Sequence, residues 1–277
     1  MRVWDNTKGG AALREELATA CAGGERVKDN AYDDPHFFRG YRRMREDPES
    51  ANELVEQPAL RACLPPLEGL EVLELGCGMG HLSLCLAQGG ASRVLATDAS
   101  ERMLAVARSE RPHERVEYHL CAMEDLAFPP ASFDLVVSSL ALHYVADHAA
   151  LVRKAAGWLR PGGHFVYSVE HPAKTAPKDP GKDWARDEEG NELYWPLSDY
   201  REEGPREEEW FAGSVVKHHR KLSSMLNDLI ACGMAIERVE EPEETPASGR
   251  RQPVFPQNRH RPSVLVVRSA KGTPKGR

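Results

Sequence analysis

The segment Val72-Leu73-Glu74-Leu75-Gly76-Cys77-Gly78-Met79-Gly80-His81 decides the fold. A short apolar run feeds a turn with glycine at alternate positions, and a helix-patterned stretch from His81 to Gln88 follows, closed by Gly89 and Gly90. Strand, glycine turn and helix in that order bring backbone N–H groups and a helix N-terminus to the carboxyl edge of a parallel sheet, where doubly wound folds bind nucleotides. The spacing is G-x-G-x-G, with the acid Glu74 two residues before the first glycine. A dinucleotide fingerprint needs its third glycine three residues after the second, and His81 stands there. A nicotinamide-dependent oxidoreductase is the rival that His81 argues against.

Outward from this segment, short β-branched runs alternate with helical patterns, the mark of βαβ units. Strands are expected at EVLEL (71 to 75), RVLAT (93 to 97), RVEYH (115 to 119), FDLVVS (133 to 138) and HFVYSVE (164 to 170). Ser100 and Asp147 are placed to cap the helices that start after them. A helix over about 217 to 232 precedes two more strands, AIERVEE (235 to 241) and SVLVVRS (263 to 269). Amphipathic pieces over 11 to 20 and 34 to 64 make residues 1–68 a helical N-terminal lid before a core over 69–171. Residues 172–216, rich in Pro, Glu and Trp and holding Trp184, Tyr194, Trp195, Tyr200 and Trp210, read as an insertion that covers a site. Residues 217–269 return to the core, and 270–277 read as a disordered tail.

The 277 residues carry 36 Lys+Arg against 43 Asp+Glu, a net charge of −7 that lacks the footprint of a general nucleic-acid or polybasic membrane binder. The expected partner is a small-molecule acceptor, with no nucleic acid and no membrane, for a monomer or homodimer. No apolar run reaches the roughly 18 residues of a membrane span, and MRVWDNTKGG lacks a signal peptide's apolar region, so a soluble, cytoplasmic protein is expected. The six cysteines form no C-x-x-C pair, which indicates neither a zinc site nor a disulfide framework.

Asp98 ends the second strand, where a carboxylate can accept both hydroxyls of a ribose; the competing reading is a cap on the next helix. Strand, glycine loop, strand and acid in order favour the ribose. On these motifs, residues 69 to 170 resemble a class I S-adenosylmethionine-dependent methyltransferase of the small-molecule type related to the ubiquinone/menaquinone methyltransferases. ELGCGMG resembles its first motif, TDAS its second, AMEDLAFPPASFDLVVSSLALHYV its middle motifs, and LRPGGHFVYSVEHP the turn and fifth strand. WFAGSVVKHHRKLSSMLNDLIACGM resembles a bacterial subgroup. The resemblance implies an α/β, Rossmann-like, doubly wound, seven-stranded, mostly parallel sheet with an antiparallel last strand, and S-adenosyl-L-methionine as cofactor. It places Gly76, Gly78 and Gly80, with Glu74 of the same motif, against the methionine and ribose portions, and Asp98 on the ribose hydroxyls. Ala99 and Met103 would pack on the adenine, with Met123 and Glu124 near its amino edge. Ala122 stands where many relatives carry Asp, so its contact would be through backbone. Ser139 and His143 would line the methionine side, and Tyr32 would reach the cofactor carboxylate.

Methyl transfer from a sulfonium is an in-line displacement, so positioning dominates and a base is needed only if the acceptor loses a proton. Tyr32, Tyr144 and the insertion's tryptophans are candidate liners, because a sulfonium favours aromatic faces, with packing in the core the commoner role of such rings. Histidine titrates in the right range for a base. His143, His171, His218 and His219 sit where the fold would place carboxyl-edge loops; His171 is preferred, since Pro172 forces the chain off the sheet there, with His143 and His219 next. No metal is expected, because Ser138 and Ser139 stand where metal-dependent relatives hold carboxylates. The run Arg201 to Glu209 reads as a solvated face, and Arg250, Arg251, Arg259 and Arg261 as solvent or structural pairings, with an anionic substrate as the lesser reading.

The expected activity is methylation of an oxygen or nitrogen of a small, fairly apolar, partly aromatic molecule; abundant Arg and Ala associate with bacterial secondary metabolism. The alternatives are C-methylation of a prenyl or quinone-like acceptor, and binding of the cofactor without catalysis.

Overall fold

A computed structural model describes residues 30–179, 184–211, 213–244 and 255–272 of the chain. The expected helix over 11 to 20, Arg250, Arg251 and the tail beyond Gly272 lie outside the described residues. Seven strands form one sheet: β1 (Glu71–Leu75), β2 (Arg93–Asp98), β3 (Val116–Leu120), β4 (Phe133–Ser139), β5 (Leu159–Glu170), β10 (Met234–Glu240) and β11 (Val264–Lys271). Their order is β3-β2-β1-β4-β5-β11-β10. Strands β1 to β5 pair in parallel, and β11 runs antiparallel to both its neighbours, as expected of the last strand. Strand order reverses between β1 and β4, which opens a crevice at the carboxyl ends.

Period-two alternation sorts β1 between two cores. Leu73 and Leu75 enter one with Phe165, Tyr167 and Trp158, whereas Val72 enters the other with Leu82, Leu86 and Val94. Each wholly buried leucine contributes about 1.5–3 kcal/mol. The first face is covered by α5 (His148–Trp158) and α7 (Leu222–Ala231), the second by α2 (Gln57–Cys63), α3 (His81–Gln88) and α4 (Glu101–Glu110). Ser100 caps α4 by accepting from Met103 N at 3.1 Å, and Asp147 caps α5 through Ala150 N at 2.9 Å. Leu60 and Cys63 of α2 belong to the sheet core, so this part of the N-terminal segment is structural. α1 (Pro35–Glu46) instead lies over the glycine turn, where Phe38 packs with Met79 and Met103.

Between α6 (Pro172–Thr175) and α7 the chain makes two hairpins, β6 (Ala185–Arg186) with β7 (Glu192–Tyr194), and β8 (Gly204–Trp210) with β9 (Gly213–His219). The helix expected from about residue 217 therefore starts later, and His218 and His219 end a strand rather than begin a helix. Val215, Lys217 and His219 alternate inward on β9; two of the three are polar, so hydrophobic periodicity could not mark them. The run Arg201 to Glu209 is not simply solvated, since buried Arg206 donates to the carbonyls of Ala176 and Glu202. Ala270 and Lys271, expected in the tail, belong to β11.

Candidate active site

The turn after β1 has three left-handed glycines, Gly76 (φ +71°), Gly78 (φ +53°) and Gly80 (φ +81°). Gly76 N and Cys77 N both donate to the Thr97 carbonyl at 2.9 Å, which ties the turn to the end of β2. Asp98 completes it: one carboxylate oxygen accepts from Gly78 N at 2.7 Å and the other from Ser100 N at 2.8 Å. Burial pushes the Asp98 carboxyl up to about 6 against these two hydrogen bonds, so it is ionised at neutral pH. Asp98 thus faces an enclosure with lone pairs to spare and a cap bond already made by Ser100 itself.

That enclosure is a cavity of about 470 Å³ along the carboxyl edge. β2 and α4 supply Asp98, Ala99 and Met103; the segment after β3 supplies Cys121, Ala122, Met123 and Glu124. Gly76 and Gly78 form its floor, and Ser139, Leu140, Ala141, Tyr144 and Val145 after β4 its far wall. The roof comes from Asn30, Ala31, Tyr32 and Tyr41 together with Ser214, Val215 and Val216 of β9. The roof's two parts are joined by aromatics: Trp210 meets Phe37 and Tyr41 edge-on at 5.9 and 5.8 Å. Tyr32 and Tyr144 bring their hydroxyls within 2.6 Å, and burial raises both phenols well above their ordinary value.

A family model described as a methyltransferase domain matches residues 73–167. An S-adenosylmethionine dependent methyltransferase from Mesorhizobium loti is 45% identical; the alignment covers 80% of this chain and 98% of that one, with a TM-score of 0.72. The chain belongs to the S-adenosylmethionine-dependent methyltransferases. An uncharacterized protein of Haemophilus influenzae is 34% identical over 252 residues, 88% of this chain and 98% of that protein. A ubiquinone biosynthesis O-methyltransferase of Ralstonia nicotianae is 40% identical over 108 residues, 38% of this chain and 45% of that enzyme. The likeness to that second enzyme is confined to less than half of its length.

The methyltransferase site fits the family's cofactor, S-adenosylmethionine. A Cβ on Gly78 would meet no protein atom within 4 Å, so the backbone there is open to a ligand, whereas one on Gly76 would strike Ala141 Cβ at 2.4 Å. Ten of the residues expected at the cofactor line the cavity: Tyr32, Gly76, Gly78, Asp98, Ala99, Met103, Ala122, Met123, Glu124 and Ser139. Cys77 and Met79 are buried in the packing behind the turn.

Three expected cofactor residues lie elsewhere. Glu74 is 1% exposed and accepts from Ser83 Oγ on the helix face of β1 because alternation turns it away from the edge; burial pushes its carboxyl up to about 8. Gly80 caps α3, where a Cβ would strike Tyr118 Oη at 2.5 Å, so its glycine serves helix packing. His143 lies behind Tyr144, accepts from Glu170 N at 3.4 Å, and borders a separate pocket of about 10 Å³. Burial pushes its imidazole down to about 3.

The other two histidines expected to act as bases are likewise held within the protein. His171 caps α6, accepting from Ala173 N at 3.0 Å, with Nε2 2.9 Å from Glu241. Burial lowers its imidazole despite that carboxylate. His219 is wholly buried between Thr175 Oγ1 at 2.9 Å and the Tyr200 carbonyl at 3.0 Å, and burial lowers it also. None of the three lines the large cavity. His218 borders the small pocket. The candidate tryptophans stand back too: Trp184 and Trp195 pack with Arg261, whose guanidinium lies 4.0 Å from the Trp195 ring centre. Arg259 is directed to the neighbouring His260. Among the described residues no cluster of His, Cys, Asp or Glu is built to hold a metal.

The cavity is also lined by Asn30, Ala31, Tyr41, Cys121, Leu140, Ala141, Val145 and the β9 residues Ser214 to Val216, which no sequence motif singles out as site residues. For the last group the local signal is the pair of β-branched residues Val215 and Val216, which favours a strand after Gly213.

Proposed function

We propose that this enzyme methylates an oxygen or nitrogen of a small, fairly apolar, partly aromatic molecule, as a cytoplasmic tailoring step in bacterial secondary metabolism. The observation that carries the reading is the cavity's roof and far wall, where Tyr32, Tyr41, Tyr144, Val145, Val215 and Val216 present rings and branched aliphatic groups beside the glycine turn. Asp98 would take the ribose hydroxyls, Ala99, Met103 and Met123 the adenine, and the Tyr32–Tyr144 pair the cofactor carboxylate. Two phenols sharing one hydrogen bond retain a second proton for an anion. Bound S-adenosylmethionine supplies an electrophilic methyl group, and the aromatic roof excludes water and holds the acceptor in line. The three histidines stand outside the cavity and burial raises its phenols, which favours an acceptor nucleophilic by its own acidity, as a phenol or enol, or by its lone pair, as an amine. The five described cysteines are free thiols, which suits a reducing compartment.

The test is incubation with methyl-labelled S-adenosylmethionine and matched panels of phenols, aromatic amines, quinone-like carbon acceptors and charged polar amines. Label on phenolic oxygen or amine nitrogen is the expected result. Transfer confined to carbon or to charged polar acceptors would overturn it.

A further inference from the structure

Glu56 is wholly buried and does not itself line the large cavity. It ends a π-helical turn, Asn52–Glu56, that widens the chain just before α2. Pro58 explains the turn: a proline there supplies no N–H and crowds the carbonyl four residues back, so regular α-helical bonding is broken at this place. The distortion delivers a carboxylate to the carboxyl ends of β4 and β5. Its Oε1 accepts from Ser139 Oγ at 2.9 Å and from Ser168 Oγ at 2.5 Å, and Oε2 accepts from Gln57 Nε2 at 2.7 Å. Ser139 and Ser168 are register partners on the two strands.

Burial raises the Glu56 carboxyl above its ordinary value, against the three converging donors and the charge of Arg45, which favour its ionised form. Yet Arg45 is engaged by Glu53 at 3.4 Å, and no ion pair among the described residues includes Glu56. A buried carboxyl without a paired cation keeps its proton more readily, and a positive charge placed beside it would favour the ionised form. Ser139 lines the cavity, so a cation placed there would face Glu56 across one hydroxyl.

The ligand's direction follows from the strand order. With the adenine beside Ala122 to Glu124 after β3 and the ribose at Asp98 on β2, the amino-acid tail runs over Gly76 on β1 toward β4. Asp98 and Ser139 stand two strands apart, about 10 Å. That span matches the reach of the tail, which ends in a carboxylate and an ammonium group.

We propose that Glu56, acting through Ser139, is the counter-charge for the α-ammonium group of the methyl donor. Ser139 Oγ donates to Glu56 and accepts from Gln57 Nε2 at 3.1 Å, and its second lone pair would accept from the ammonium, so that donor, hydroxyl and carboxylate form one polarised chain. Glu56 is a positioning residue: it orients the serine hydroxyl and holds the tail, leaving the carboxylate end to the two tyrosines. The inference rests on the cofactor placement proposed above.

The test is calorimetric titration of wild-type protein, Glu56→Gln and Ser139→Ala with three ligands: S-adenosylhomocysteine, its desamino analogue, which keeps the carboxylate, and 5′-methylthioadenosine, which lacks the whole tail. Wild type should prefer S-adenosylhomocysteine to the desamino analogue, and Glu56→Gln should weaken S-adenosylhomocysteine about 10- to 100-fold while abolishing that preference. Methylthioadenosine should be unaffected by either variant. Uniform weakening of all three ligands, or a preference that survives the substitution, overturns the proposal. Ser139→Ala removes only the connecting hydroxyl, so it decides the matter should Glu56→Gln not fold; retention of the preference in that variant also overturns it. Failure of wild type to bind any of the three ligands would overturn the cofactor placement itself.

Discussion

The three glycines of one turn have different work to do, and single substitutions separate it. Gly80 combines φ +81° with a Cβ position 2.5 Å from Tyr118 Oη and 3.1 Å from Ala107 Cβ. Gly80→Ala should destabilise the fold by about 1–3 kcal/mol, seen as an earlier urea midpoint. Gly78 has φ +53° and open space before it, so Gly78→Ala should cost only about 1 kcal/mol of strain yet weaken S-adenosylhomocysteine more than tenfold. Equal stability losses in the two variants would count against this division. Glu74, two residues before the turn, sets a pH dependence of the fold. It loses its proton near 4.5 when unfolded and near 8 when folded. Between those values the folded chain keeps a proton that the unfolded chain has released, so this group's contribution makes stability fall as pH rises through the window. Glu74→Gln should flatten that decline; urea unfolding at pH 5.5 and 8.5 reads it directly.

At the scale of elements, the β8–β9 hairpin and α1 close the cavity together. Trp210 is the shared piece, stacked on Phe211 at 4.7 Å, edge-on to Phe37 and Tyr41, and beneath the Lys217 ammonium at 5.3 Å. Each such ring contact contributes about 0.5–1.5 kcal/mol. Trp210→Ala should therefore release the roof, weakening S-adenosylhomocysteine several-fold and speeding proteolysis within the hairpin, with a melting shift of only a few degrees. Unchanged affinity would show that the hairpin does not close the site. This roof was the least legible part of the sequence. The stretch from Ser214 to Ile230 holds both a two-residue and a helical rhythm, and inward Lys217 and His219 hide the former. Those side chains are satisfied by partners far along the chain, Glu170 for Lys217 and Thr175 for His219, which local patterning does not reveal.

Across the whole molecule, the parallel core and its glycine edge were legible because strand alternation, helix caps and the G-x-G-x-G turn agree with one another. Asp98's place on the cavity followed from its position at the end of β2. The histidines did not, since an ionisable residue at the end of a strand can serve the edge or brace the next element, and the sequence does not record which. His171 braces: it caps α6 and meets Glu241. Its removal should lower the melting temperature and leave cofactor affinity intact. Glu56 escaped notice for a related reason, because its importance depends on a π-helical turn and on serines about 80 and 110 residues away.

The proposed hold of Asp98 and the glycine turn on S-adenosylmethionine is read by calorimetric titration with S-adenosylmethionine and S-adenosylhomocysteine from pH 5 to 8, with NADH and Asp98→Ala as controls. Both sulfur ligands should bind at pH 8, lose about tenfold in affinity by pH 5 as Asp98 protonates near 6, and bind weakly and without that pH dependence to Asp98→Ala. Absence of binding by the folded wild-type protein, binding of NADH in their place, or full affinity in Asp98→Ala would rule out this placement of the cofactor.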